Sequence, residues 1–132
     1  MSKTIITFID DEKRPDREIK IEGHPFDYVR VFDKDNTYWD RNLEYNKYFV
    51  KNVEQHVNDI LTSRGYVFLN EIYSMLGLHL SKCGQLVGWI KSTEDKYIDL
   101  GLNNDVNRRF NNGEINSIII EPNVDGEILS KL

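Results

Sequence analysis

Three groups of residues have the types and spacing that metal chemistry uses. Asp10, Asp11 and Glu12 are contiguous acids, but consecutive side chains on a loop cannot all converge on one ion, so they read as a solvated loop. His79 and Cys83 stand four apart and would share one face of a helix, a spacing seen in zinc pairs. A structural zinc needs two further ligands, and the sequence offers only His24 and His56 and no second cysteine. Asp33, Asp35, Thr37 and Glu44 fall at the first, third, fifth and twelfth positions of a calcium loop, yet Tyr38 stands where the sharp-turn glycine belongs. No phosphate-cradling glycine loop, nucleophile elbow or Ser/His/Asp spacing is present. The expectation is a non-enzyme with no catalytic residue, no metal and no cofactor.

A second group suggests DNA reading. Tyr66 to Trp89, "YVFLNEIYSMLGLHLSKCGQLVGW", has the outline of a helix-turn-helix: a short helix over "EIYSMLG" capped by Asn70, a turn, then "KCGQLV" capped by Ser81. Lys82 and Gln85 would be the residues reaching base edges or phosphates. Tyr73 is bulky where two such helices pack closely, and Gly84 weakens the second by about 1 kcal/mol relative to Ala. The same residues make better sense as packing, with Leu69, Ile72, Tyr73, Leu76 and Trp89 forming a small core and Gly84 and Gly88 allowing backbones to approach.

A third group suits binding. Tyr38, Trp39, Tyr45 and Tyr48 cluster around Arg41, and aromatic residues with arginine are the usual anchors of protein interfaces. The competing reading has Trp39 and Tyr48 covering a helix N-terminus as part of the core. Asp10, Asp11 and Glu12, together with that cluster, would suit a basic groove on a partner. An exposed strand edge or aromatic patch would serve a homodimer equally well.

The elements that must position these residues follow from periodicity. Phe49, Val50, Val53, Val57, Ile60 and Leu61 form one apolar stripe at helical spacing, with Lys47, Lys51, Glu54, Asn58 and Asp59 away from it, so Asn42–Arg64 is a long amphipathic helix that Gly65 ends. Before it, Lys3–Ile9, "EIKIEG" and "FDYVRVF" read as three short strands of an antiparallel meander. After it, "YVFL", "WIK", "KYIDLGL" and "NSIIIEP" read as strands, with "STED" and "NVDG" as turns. The fold class is α+β, an antiparallel sheet with one long amphipathic helix and two short helices. The chain reads as a single domain over 1–132, comprising a β meander (1–41), the long helix (42–64) and a helix/strand region (65–132).

Composition narrows the functional class. A chain of 132 residues with 39% hydrophobic and 30% charged residues can bury a core without disulfides. The net charge is −5, and residues 1–44 hold 11 acids against 8 bases, which argues against direct nucleic-acid binding because phosphate neutralisation supplies most of that affinity. No run approaches the length of a membrane span, and "MSKTIITFIDDEKR" has no signal-peptide pattern. With a single cysteine, the expected location is the cytoplasm of the cell that makes the protein.

The pieces "RGYVFLNEIYSMLGL", "GQLVGW", "YIDLGL", "RRFNNG" and "IIIEPNVDGEI", in order from Arg64 to Ile128, resemble a small domain of unknown function that recurs in proteins of tailed phages and related mobile elements. The N-terminal half carries no comparable resemblance. The resemblance implies no catalytic residues; it implies a phage protein working in the bacterial host cytoplasm or in a virion. The combined expectation is an acidic, non-enzymatic phage protein that binds a host or phage protein. Inhibition of a host defence or nucleic-acid-processing complex (an anti-defence role) ranks first, a virion component second and a DNA reader third.

Overall fold

The computed structural model describes residues 28–92 and 96–132. The strands expected within residues 3–23, the acids Asp10, Asp11 and Glu12, and the turn at His24 lie outside them. In chain order the elements are β1 (Arg30–Asp33), α1 (Leu43–Arg64), β2 (Tyr66–Phe68), α2 (Leu69–Met75), β3 (Val87–Ile90), α3 (Arg108–Asn111), β4 (Ser117–Ile120) and β5 (Gly126–Glu127). Single 3-10 turns lie at Cys83–Gln85, Asp105–Asn107 and Leu129–Lys131. The architecture is α+β, with a long helix beside two small antiparallel sheets.

The long helix forms where its stripe predicts. Asn42 caps it, its side-chain oxygen accepting from the amides of Glu44 (3.1 Å) and Tyr45 (3.3 Å). Gly65 ends it in the left-handed region at φ 98°, donating to the Leu61 carbonyl at 2.9 Å. Val50, Val53, Val57 and Leu61 are buried. Glu54 and Asn58, expected in solvent, are not: Asn58 is buried and Glu54 half-buried, because residues 96–102 lie along that flank of α1.

Both sheets join distant parts of the chain. β1 pairs antiparallel with β4, with Val31 opposite Ile119, so among the described residues this strand is matched to the far end of the sequence rather than to a sequential meander. β2, β3 and β5 form the other sheet, with Val67 opposite Trp89 and Gly88 opposite Gly126. Gly88 is required there, since a Cβ would run into the Val67 carbonyl oxygen and come within 2.9 Å of the Phe68 Cα. Leu69, Ile72, Tyr73, Leu76 and Trp89 are all buried to 1% exposure or less, and with Phe32, Val57, Ile98, Leu100, Ile118 and Ile120 they belong to one core cluster.

Three expectations about short elements are corrected. α2 begins at Leu69, so Asn70 is not its cap; the Phe68 amide at the helix start is bound by the Glu71 carboxylate at 3.0 Å. The helix expected over Lys82–Val87 is one 3-10 turn. Ser81 does bind the Gly84 amide at 2.9 Å, but β3 begins at Val87 and the chain must leave the helical path after a single turn. "NVDG" is not a tight turn: Gly126 extends into β5, and Asn123 accepts the Asp99 amide (2.8 Å) and donates to the Tyr97 carbonyl (3.0 Å). The second short helix is α3, in "RRFNNG".

Residues 96–102, expected as a strand, pair with no strand among the described residues, and form a strap between α1 and residues 121–123. Extended backbone without a ladder leaves N–H and C=O groups that must be satisfied when buried. Asparagine side chains do this. Asn58 accepts the Ile98 amide at 2.8 Å and donates to the Ile98 carbonyl at 3.0 Å, occupying both groups of one residue as a neighbouring strand would. Asn107 does the same to Ile119 (2.7 and 2.9 Å) and also donates to the Gly101 carbonyl at 2.9 Å. Asn70 holds Ser81 (3.0 and 2.8 Å), and Asn46 holds Asp40 (2.8 Å each way).

Asn107 is 1% exposed, so removing its carboxamide leaves the buried Gly101 carbonyl and the partly buried Ile119 amide and carbonyl without these partners. Asn107→Leu is expected to cost about 1–3 kcal/mol in urea denaturation, the range for a buried polar group left without its partner. The exposed Asn103→Leu should stay within about 0.5 kcal/mol of the parent.

Candidate interaction surface

Tyr38 stands midway along the loop that joins β1 to α1, and asparagines fix that loop at two points. Asn36 donates to the Leu76 and Gly77 carbonyls at 3.0 and 3.1 Å, satisfying the C-terminal end of α2, while its oxygen accepts the Tyr38 amide at 2.7 Å. Asn46, fully buried on α1, clamps both backbone groups of Asp40. The Tyr38 ring lies against Gly77, where a Cβ would come within 2.7 Å of Cδ2, and meets Phe49 edge-on with centroids 5.7 Å apart.

The aromatic cluster read from the sequence divides into a core part and a surface part. Trp39 packs on the core, its ring edge-on to Phe32 at 5.2 Å and to Phe110 at 6.4 Å. Tyr38, Tyr45 and Tyr48 are 49%, 52% and 55% exposed, and Arg41 is also exposed. Tyr45 and Phe49 are one helical turn apart on α1, so Tyr38, Phe49 and Tyr45 run together around the start of that helix, with Tyr48 beside them. Of the two readings of Trp39 and Tyr48, the core role therefore fits Trp39 and the surface role fits Tyr48. The part of Phe49 was not anticipated; its place at the fringe of the apolar stripe was the available signal.

The surrounding charges are mixed. Lys34 and Asp35 pair at 3.7 Å in full exposure, a contact of little energetic weight. Asp40, Arg41 and Glu44 are exposed around the helix start, so the surface has aromatic area without a dominant sign. Lys82 and Gln85 are exposed at the 3-10 turn, on no helix that could enter a groove. Among the described residues no group of three or more His, Cys, Asp and Glu side chains is placed to hold a metal ion, and no helix is long and apolar enough to cross a membrane.

A model of a family of unknown function, DUF6353, matches residues 3–132. The chain belongs to this family. The DUF6353 match begins far ahead of Arg64, so the N-terminal half, which carries no resemblance comparable to that of the later motifs, lies within the same family match as the region from Arg64 to Ile128. Every described residue of the aromatic surface, from Tyr38 to Phe49, falls inside the DUF6353 region. No curated protein and no solved structure matches the chain.

The division into core and surface is testable by stability. Trp39→Ala is expected to cost about 3 kcal/mol, as for a large aromatic removed from a core. Tyr45→Ser and Tyr48→Ser should each change stability by no more than about 0.5 kcal/mol. Urea denaturation of the three variants reads this directly.

Proposed function

We propose that this protein acts by binding another protein through the aromatic surface at the start of α1. The observation that carries the reading is the group of half-exposed Tyr38, Tyr45 and Tyr48 around Phe49, with Tyr38 presented from a loop held by Asn36 and Asn46 and the others from the first turns of α1. Large aromatic rings left half in water on a fixed backbone lose little entropy when covered, which is what an interface anchor requires. Arg41 at the edge supplies a planar donor set for a partner carboxylate or carbonyl.

The setting we adopt is that of a phage or mobile-element protein in the cytoplasm of a bacterial host, and the role is non-enzymatic. The partner is a host protein, foremost a component of a defence or nucleic-acid-processing complex that this protein inhibits. The acids Asp10, Asp11 and Glu12 and the net charge of −5 suit a basic face on such a partner.

An affinity pull-down from host lysate, with and without nuclease treatment, tests the proposal. The expected result is one stoichiometric protein that survives nuclease and is lost from the variant carrying Tyr38→Ala, Tyr45→Ser and Tyr48→Ser. Recovery of a partner that the triple variant binds equally well would overturn the assignment of the surface. Recovery that depends on nucleic acid would instead favour a DNA-binding role.

A further inference from the structure

The 96–102 strap is held on α1 by two side chains one helical turn apart. Asn58 holds Ile98 by both backbone groups. Glu54 holds Leu100, its Oε2 accepting the Leu100 amide at 2.9 Å. The other carboxylate oxygen of Glu54 accepts the Tyr97 hydroxyl at 3.3 Å. On the far side the strap is bound by the Glu121 amide on the Leu100 carbonyl (2.9 Å) and the Asn123 amide on the Asp99 carbonyl (3.1 Å). Ile98 and Leu100 are completely buried and belong to the core cluster.

Of these contacts only the Glu54 one carries a titratable charge against the strap backbone. The ionisable groups facing it are Lys51 on α1 and Tyr97 and Asp99 on the strap. Asp99, whose carboxylate accepts the Gly101 amide at 2.8 Å, lies on the strap on the side that faces Glu54. A neutral carboxyl would keep a carbonyl oxygen for Leu100 while removing both the half-buried charge and its repulsion with Asp99.

We propose that Glu54 is a pH-sensitive latch that sets how firmly the 96–102 strap is held on α1, tighter when neutral and looser when charged. Burial, followed by the charge of Asp99, pushes the Glu54 carboxyl above its ordinary value of 4.5, against the opposing effects of the Leu100 bond, the Tyr97 bond and Lys51. Between the unfolded and folded values the folded chain binds more protons. The stabilisation is therefore complete below 4.5 and is lost as pH rises through the raised folded value.

Amide hydrogen exchange at Leu100 and Ile98, corrected for intrinsic rates and followed from about pH 4 to 8, tests the latch. Protection of these amides should fall as pH rises in the parent. Glu54→Gln, which keeps an acceptor for Leu100 and has no charge to titrate, should give a profile flat with pH. Asp99→Asn should move the midpoint down, and a carbon-13 titration of the Glu54 carboxyl should follow the same midpoint. A flat parent profile, a Glu54→Gln profile that still follows the parent's, or a Glu54 carboxyl titrating at or below 4.5 would each overturn the proposal. If Glu54→Gln does not fold, the Asp99→Asn shift and the carboxyl titration decide the matter in the same way.

Discussion

An asparagine carboxamide carries both N–H donors and a carbonyl acceptor, so one side chain can occupy the N–H and the C=O of another residue at once, and this fold depends on that capacity. Among the described residues the two sheets have two and three strands, too few to cover the backbone of every extended segment described in the core. Asn58 stands in for the missing strand beside Ile98, Asn107 for the one beside Ile119, and Asn46 and Asn70 clamp Asp40 and Ser81 in the same two-bond manner. Each bond contributes only about 1 kcal/mol net, but an empty place would cost the desolvation of two buried groups. The side chains thus extend the reach of sheet-like pairing into loops without requiring strands there.

This arrangement connects the core to the surface. α1 is the spine: its apolar stripe packs inward, Asn58 and Glu54 hold the strap on one flank, and Asn46 holds the incoming loop at its start. Because the loop is anchored at Asn36 and Asn46, Tyr38 is presented from a fixed backbone although half of it is in water. Trp39, next to it, goes inward to Phe32 and Phe110 and ties the same loop to β1 and α3. The exposed aromatic surface is therefore built on core packing on one side and on carboxamide clamps on the other.

Much of the scaffold was legible in the sequence because it rests on periodicity and on glycine. The stripe from Phe49 to Leu61, the stop at Gly65 and the buried Leu69–Trp89 set all follow from spacing and residue type. What escaped is polar and long-range. Asn58 and Glu54 lie off the stripe, where a polar residue normally means solvent, and only the strap, some forty residues later, buries them. Asn70 stands where a helix cap is usual, yet its partner is Ser81 across a turn. "NVDG" has turn composition, but Asn123 is engaged with the strap, leaving Gly126 to pair with Gly88. At the surface, residue types marked the cluster at Tyr38, Trp39, Tyr45 and Tyr48, while the split between Trp39 and its neighbours needed the position of Phe110.

The most direct test of the central claim is a long-range amide-to-carbonyl correlation by NMR, which detects scalar coupling through individual hydrogen bonds. The account predicts cross-peaks from the Ile98 amide to the side-chain carbonyl carbon of Asn58 and from the Ile119 amide to that of Asn107. Their strength should be comparable with that of ordinary ladder bonds between β2 and β3 in the same spectrum. Ladder cross-peaks without the two asparagine cross-peaks would contradict it.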